Sequence, residues 1–223
     1  MSNFNVKELK DRLNKIDTIF FDLDGTLIDT EPLYFRFWKE ASKLNGYELS
    51  DSEALGMRSR DSNIATNYLK DLSDGILIYQ KVKQDRIRLM SEYLKDHPIE
   101  LKEGAIDFLN KLNKENKKLY IVTANAYEKA NNILESLDLK KYFVDIISAK
   151  DVKRGKPFPD VYLKAAELIN KDPKDVIVFE DSPNGLLSSY RAGCYTVMVE
   201  DMSEYTSEID YVDAAIVSFK ELL

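Results

Sequence analysis

The sequence predicts an α/β protein: a doubly wound parallel sheet interrupted by one all-helical insertion. Three observations carry this. From about residue 98 onward, short apolar runs alternate with helical patterns, as parallel βαβ units require. One further strand-like run, residues 17–21, stands near the start of the chain. Between the two, residues 30–97 read as helix with no convincing strand, so they are expected to be an insertion between the first and second core units.

Each element has its own signal. Val6, Leu9, Leu13 and Ile16 recur at spacings of three and four, a short amphipathic helix leading into the first strand. Asp17-Thr18-Ile19-Phe20-Phe21 is apolar, β-branched and aromatic, which suits a buried strand. Thr30-Glu31-Pro32 marks a helix start, with Thr30 as cap and Pro32 in the first turn. Tyr34, Trp38, Ala41 and Leu44 then form an apolar stripe, read as core and stopped by Asn45-Gly46. Helical patterns continue over 51–95, broken by Gly56 and Ser73-Asp74-Gly75, and 76–94 is the longest of them. After Asp96-His97-Pro98 the expected order is helix 103–113, strand 119–122, helix 127–137, strand 144–147 and helix 159–170. Strand 176–179, helix 183–191 stopped by Gly193, and strands 195–199 and 214–217 complete it. The expected division is a Rossmann-like core of residues 1–29 and 98–223, and a helical insertion of residues 30–97.

Composition bounds the function. The 223 residues are 32% charged and 44% hydrophobic, which is ordinary for a globular protein large enough to bury a sizeable core. A net charge of −7 argues against nucleic acid or an anionic membrane as partner. Cys194 is the only cysteine, which excludes an intrachain disulfide and a cysteine-based zinc site. No apolar run resembles a signal peptide or a membrane span, so a cytoplasmic protein is expected, as a monomer or weak dimer.

The chemistry gathers at predicted strand ends, where open α/β sheets bind ligands. Asp22 and Asp24 follow the first strand and are expected to point the same way, with Gly25 turning the chain. Thr123 and Asn125 follow a second strand and offer a hydroxyl and an amide suited to phosphate, or to capping the next helix. Lys156 lies in a Gly-Lys-Pro loop, expected to be held extended by Pro157 and placed to neutralise phosphate as a point charge. Glu180 and Asp181 end another strand. Four carboxylates against one lysine would repel an anion, each like pair at about 4 Å costing about 4 kcal/mol at an effective dielectric of about 20. Such an oxygen-rich site calls for Mg²⁺, which binds one or two carboxylates, here from among Asp22, Asp24, Glu180 and Asp181, and keeps waters and a substrate oxygen.

In order, D-x-D-G-T at 22–26, Thr123, G-K-P-x-P-D at 155–160 and E-D-S-x-x-G at 180–185 resemble the haloacid dehalogenase superfamily. The resemblance spans nearly the whole chain. It implies Asp22 as the nucleophile forming a phospho-aspartate and Asp24 as general acid, then base. It implies that Thr123 and Lys156 hold phosphoryl oxygens, and that Asp181 binds Mg²⁺ with Glu180 beside it and the Asp24 carbonyl as a further ligand. The insertion resembles the helical cap of the β-phosphoglucomutase-like and phosphoglycolate phosphatase-like branch, which implies a substrate-facing cap loop around Arg58 and Arg60.

Superfamily dehalogenases lack the second aspartate and phosphonate hydrolases replace it with alanine, so Asp24 points to phosphate chemistry. Tyr34 stands where β-phosphoglucomutase carries a histidine, and neither Arg58 nor Arg60 has the spacing of its cap arginine after Gly56. The expected function is a Mg²⁺-dependent phosphatase acting on a small phosphorylated metabolite, a sugar phosphate or a nucleotide-like monophosphate. The alternatives are a hexose-phosphate mutase using the same phospho-aspartate, and a non-catalytic phosphometabolite-binding module. A binder has no use for the Asp22/Asp24 pair. His97 and Cys194 are read as structural, the cysteine buried and inert.

Overall fold

The computed structural model describes residues 6–58, 62–202 and 209–223. These form a sheet of β1 (Thr18–Phe21), β2 (Lys118–Thr123), β3 (Phe143–Ser148), β4 (Val176–Glu180), β5 (Tyr195–Val199) and β6 (Ala214–Ile216). The strand order is β3-β2-β1-β4-β5-β6, and every neighbouring pair is parallel. The chain starts in the middle of the sheet, builds outward to β3, then returns to the other side of β1. The order therefore reverses at β1, and the carboxyl end of such a strand is where open α/β sheets bind ligands.

Residues pack into two compact units, one of Met1–Ile28 with Leu101–Leu223 and one of Asp29–Glu100. The first holds the sheet with α1 (Val6–Lys15), and the second holds α2 (Glu31–Leu44), α3 (Asp51–Leu55), α4 (Ser62–Leu72) and α5 (Tyr79–Tyr93). Helices α6 (Ala105–Lys114), α7 (Tyr127–Ser136), α8 (Asp160–Leu168) and α9 (Pro183–Ala192) belong to the sheet unit. No described helix is long and apolar enough to cross a membrane.

The run Thr-Ile-Phe-Phe of β1 is buried throughout, as expected of a parallel strand covered on both faces. Its alternation sends Phe20 and Phe21 to opposite faces. Phe21 stacks on Phe179 at 5.0 Å, and Phe108 of α6 and Phe219 from the C-terminal turn close the same cluster. Phe20 meets the edge of Tyr120 at 5.7 Å and lies nearly parallel to Tyr162 of α8 at 6.5 Å. Tyr162 thereby belongs to the core face that carries Val178 and, two residues on, Glu180.

The helical unit has its own core of Ala41, Leu49, Ala54, Met57, Ala65, Leu69, Leu77, Tyr79 and Val82, with Trp38 against it. Leu44, expected in that stripe, is 62% exposed at the end of α2. Thr30 has helical backbone angles and makes no side-chain cap bond, whereas Pro32 does occupy the first turn. The helix expected over 76–94 begins only at Tyr79. The Leu77 N–H donates instead to Ser73 Oγ at 2.9 Å, and the extended lead-in buries Leu77 between exposed Ile76 and Ile78. At the other end of that helix His97 stacks on Tyr93 at 4.0 Å, with Nδ1 3.0 Å from the Tyr93 carbonyl, a structural role.

Candidate active site

The β1 strand delivers Asp22 into the sheet's switch point. Its N–H donates to the Phe179 carbonyl at 3.0 Å, extending the pairing with β4 by one step. The chain then closes on itself. Leu27 and Ile28 N–H both donate to the Leu23 carbonyl, and Gly25 N–H donates to the Ile28 carbonyl. Gly25 has φ +80°, and a Cβ there would lie 2.3 Å from Asp181 Oδ2. Backbone conformation and the approach of Asp181 both demand glycine.

Lys156 is the electrostatic centre. Its side chain is 8% exposed, and Nζ donates to Asp22 Oδ1 at 2.5 Å, to Glu180 Oε1, and to the Val122 carbonyl at 3.2 Å. All three ammonium protons are thus accounted for. The lysine loop is shaped by a cis Lys156–Pro157 peptide, where an extended loop was expected, and by Arg154 gripping both oxygens of Asp160 at 2.8 and 3.1 Å.

Glu180 is wholly buried. Oε1 accepts from Lys156 and from the Tyr162 hydroxyl at 2.7 Å, while Oε2 accepts from Ser182 Oγ at 3.2 Å and Ser182 N at 3.4 Å. Ser182 Oγ in turn accepts from Gly185 N–H at 3.1 Å, capping α9. A Cβ on Gly185 would sit 2.0 Å from the Glu180 carboxyl carbon. Asp181, 2% exposed, accepts from the Thr26 hydroxyl at 2.9 Å. Tyr162, Thr26, Ser182 and Gly185 were not singled out as site residues from sequence. Thr26 and the last two lie inside recognised motifs, whereas Tyr162 reads as one more apolar position of a helix.

Asp24 engages different partners from Asp22. Asn125 Nδ2 donates to its Oδ2 at 2.5 Å. Asn125 caps no helix: α7 has Ala126 at its cap with no side-chain bond. Thr123 does not cap it either, since its Oγ1 accepts the Asn125 N–H at 3.2 Å. In the helical unit Arg58 Nε donates to Glu31 Oε2 at 2.7 Å. Arg60 lies outside the described residues.

The charges are unbalanced. Burial, then the neighbouring Glu180 and Asp24 carboxylates, push Asp22 up to about 7 against the pull of Lys156. Burial alone would lower the Lys156 pKa, but Asp22 and Glu180 hold the ammonium above its ordinary value. Burial and the same two carboxylates raise Tyr162 well above the usual phenol range. Cys194 is buried in the core, and its thiol is pushed up to about 12 by burial, which leaves it inert.

Oxygens of Asp22, Glu180 and Asp181 all lie within 4.8 Å of one another. This hard-oxygen set, with Gly25 making room for Asp181, fits a divalent cation of the Mg²⁺ type. The Asp24 carboxylate is not in that group.

Gly185→Ala separates two opposing effects. Alanine is worth up to about 1 kcal/mol in helix propensity, whereas crowding a packed site costs about 1–3 kcal/mol. The 2.0 Å approach makes crowding win. Urea denaturation is expected to show a net loss of stability, and a gain would contradict this packing of Glu180.

The family described as haloacid dehalogenase-like hydrolase matches residues 19–199. The chain is similar to the phosphorylated carbohydrates phosphatase of Thermotoga maritima, with 29% identity over 93% of this chain and 97% of that protein. It is 31% identical to hexitol phosphatase A of Escherichia coli, over 91% of each chain. Its structure is similar to that of a putative beta-phosphoglucomutase from Thermotoga maritima, with a TM-score of 0.75 and 25% identity, over 93% of this chain and 97% of that one. The four motifs, the switch-point site and these matches place the chain in the haloacid dehalogenase-like hydrolase family.

Proposed function

We propose that this protein is a Mg²⁺-dependent phosphatase that hydrolyses a small phosphorylated metabolite, a sugar phosphate or a nucleotide-like monophosphate, through a phospho-aspartate at Asp22. The observation that carries the reading is the pairing of two unlike carboxylates. Asp22 is buried against Lys156, and Asp24, two residues further on, is held by the neutral amide of Asn125. In this reading the first is the nucleophile and the second the proton carrier. Two of the similar proteins are named as phosphatases of phosphorylated carbohydrates and of hexitols, which supports a sugar or polyol phosphate.

In this reading an Asp22 carboxylate oxygen attacks phosphorus as the bond to the ester oxygen breaks, and Asp24 gives its proton to that leaving oxygen. Asp24 then takes a proton from water, which attacks phosphorus and frees Asp22. Lys156 and Thr123 hold phosphoryl oxygens throughout. Asp22, Asp181 and the Asp24 carbonyl would hold Mg²⁺, with Glu180 beside it, and the ion would offset the excess of carboxylates. Arg58 and Arg60 would serve substrate recognition.

A mutase is the second reading, favoured by the similarity to the putative beta-phosphoglucomutase. Tyr34 counts against it, because that position carries a histidine in the mutase. Here its ring lies under the Arg86 guanidinium at 4.8 Å.

Phosphate release from a panel of phosphorylated metabolites tests the function. Activity is expected to vanish with EDTA, return with Mg²⁺ and return poorly with Ca²⁺, whose longer bonds loosen the geometry. Asp22→Asn is expected to abolish turnover, and activity within about tenfold of wild type would exclude a covalent route through it. With β-glucose 1-phosphate and catalytic glucose 1,6-bisphosphate, ³¹P NMR is expected to show inorganic phosphate. Dominant glucose 6-phosphate would establish the mutase.

The raised Asp22 pKa gives a second check. In metal-free protein, ¹³C NMR is expected to show its carboxyl titrating at about 7, half protonated near neutrality and so a weakened nucleophile. A cation favours the ionised form, so Mg²⁺ is expected to move this titration to lower pH. An ordinary carboxylate titration without metal would contradict the described environment.

A further inference from the structure

We infer that Lys129 is a positioning residue for the proton-transfer carboxylate Asp24, acting through Asn125. This rests on the phosphatase reading of Asp24 and adds a residue that lies in none of the motifs. Asn125 Nδ2 donates to Asp24 Oδ2 at 2.5 Å, and Asn125 Oδ1 accepts from Lys129 Nζ at 2.8 Å. The amide is a connector between an anion and a cation.

Its two ends have nearly the same shape but opposite hydrogen-bonding sense. The Asp24 carboxylate accepts and the Lys129 ammonium only donates. One orientation of the amide therefore satisfies both contacts, and rotating it by 180° sets oxygen against oxygen and NH₂ against ammonium. The backbone on either side is already fixed. Asn125 N–H donates to Thr123 Oγ1 at 3.2 Å, and the Asn125 carbonyl accepts from Ser148 Oγ at 2.7 Å. The freedom that remains is rotation of the side chain, and Lys129 removes it. The ammonium also polarises the amide and strengthens its N–H toward Asp24.

The placement of Lys129 fits this role. It lies in the first turn of α7, where the helix dipole disfavours a cation. Its side chain nevertheless turns back to Asn125, four residues earlier. Being exposed, the contact is modest in energy. Its effect is expected on geometry at Asp24, where small misplacements are costly.

The test compares two esters that differ in their need for an acid. The alkoxide of glycerol 1-phosphate must be protonated to leave, and the phenolate of 4-nitrophenyl phosphate need not be. Because kcat/KM reports events through departure of the leaving group, Lys129→Met is expected to lower it about three- to tenfold for glycerol 1-phosphate and little for the aryl ester. Lys129→Arg is expected to restore it, and in an Asp24→Asn background Lys129→Met is expected to add nothing. The Asn125 side-chain amide signals in ¹H–¹⁵N NMR, which need no turnover, are expected to shift in Lys129→Met. Equal losses on both esters, as from a lost attraction for anions, or unmoved Asn125 signals would overturn the inference. Turnover of neither ester by the wild type would instead count against the phosphatase reading, while the amide signals still report on the tether.

Discussion

Lys156 shares one ammonium between two buried carboxylates, Asp22 and Glu180, and the neighbouring architecture serves that contact. An unpaired charge at this depth would cost several kcal/mol, and breaking a buried pair typically costs about 3–5 kcal/mol. Burial on this scale is tolerated only when each remaining lone pair and proton has a partner. Glu180 meets that condition through Tyr162 and Ser182, and Lys156 through the Val122 carbonyl. Burial raises the proton affinity of Asp22 against the pull of that lysine. Glu180 is thus held by a lysine, a tyrosine and a serine at once.

Two glycines make the geometry possible. Gly25 turns the chain after Asp24 and lets Asp181 come close, and Gly185 lets the Glu180 carboxylate lie against the first turn of α9. Neither position admits a side chain without moving an acid. The sheet supplies the rest. Because β1 sits between β2 and β4, Asp22, Thr123 and Glu180 end three adjacent strands, and the tyrosine that anchors Glu180 comes from the helix covering the Phe20 face.

Much of this was legible before any coordinates. Strands buried on both faces must be continuously apolar, so their ends could be placed to within a residue or two, and the carboxylates at two of those ends, Asp22 with Glu180 and Asp181, lie close together in the fold. Other features are fixed by tertiary partners and leave no local trace. Asn125 offered helix capping or substrate contact by its chemistry, and its link to Asp24, 101 residues away, leaves no local signal. Tyr162 was hidden because a helical apolar stripe does not reveal which of its members carries a needed hydroxyl. Alternation along a strand suggested that Asp22 and Asp24 share one direction. The regular strand ends at Phe21, however, and the loop closing on Leu23 gives the two acids different partners. The 76–78 segment looked helical by composition, but Ser73 captures an N–H there that a helix would need.

The phospho-aspartate route requires that Asp22 become covalently phosphorylated during turnover. Acid quenching during turnover followed by borohydride reduction converts an acyl phosphate to an alcohol, and peptide mass spectrometry then locates it. Homoserine is expected at position 22 in wild-type protein, and none when the substrate is omitted. Turnover with Asp22 unmodified at every quench time, or reduction at another carboxylate, would contradict it.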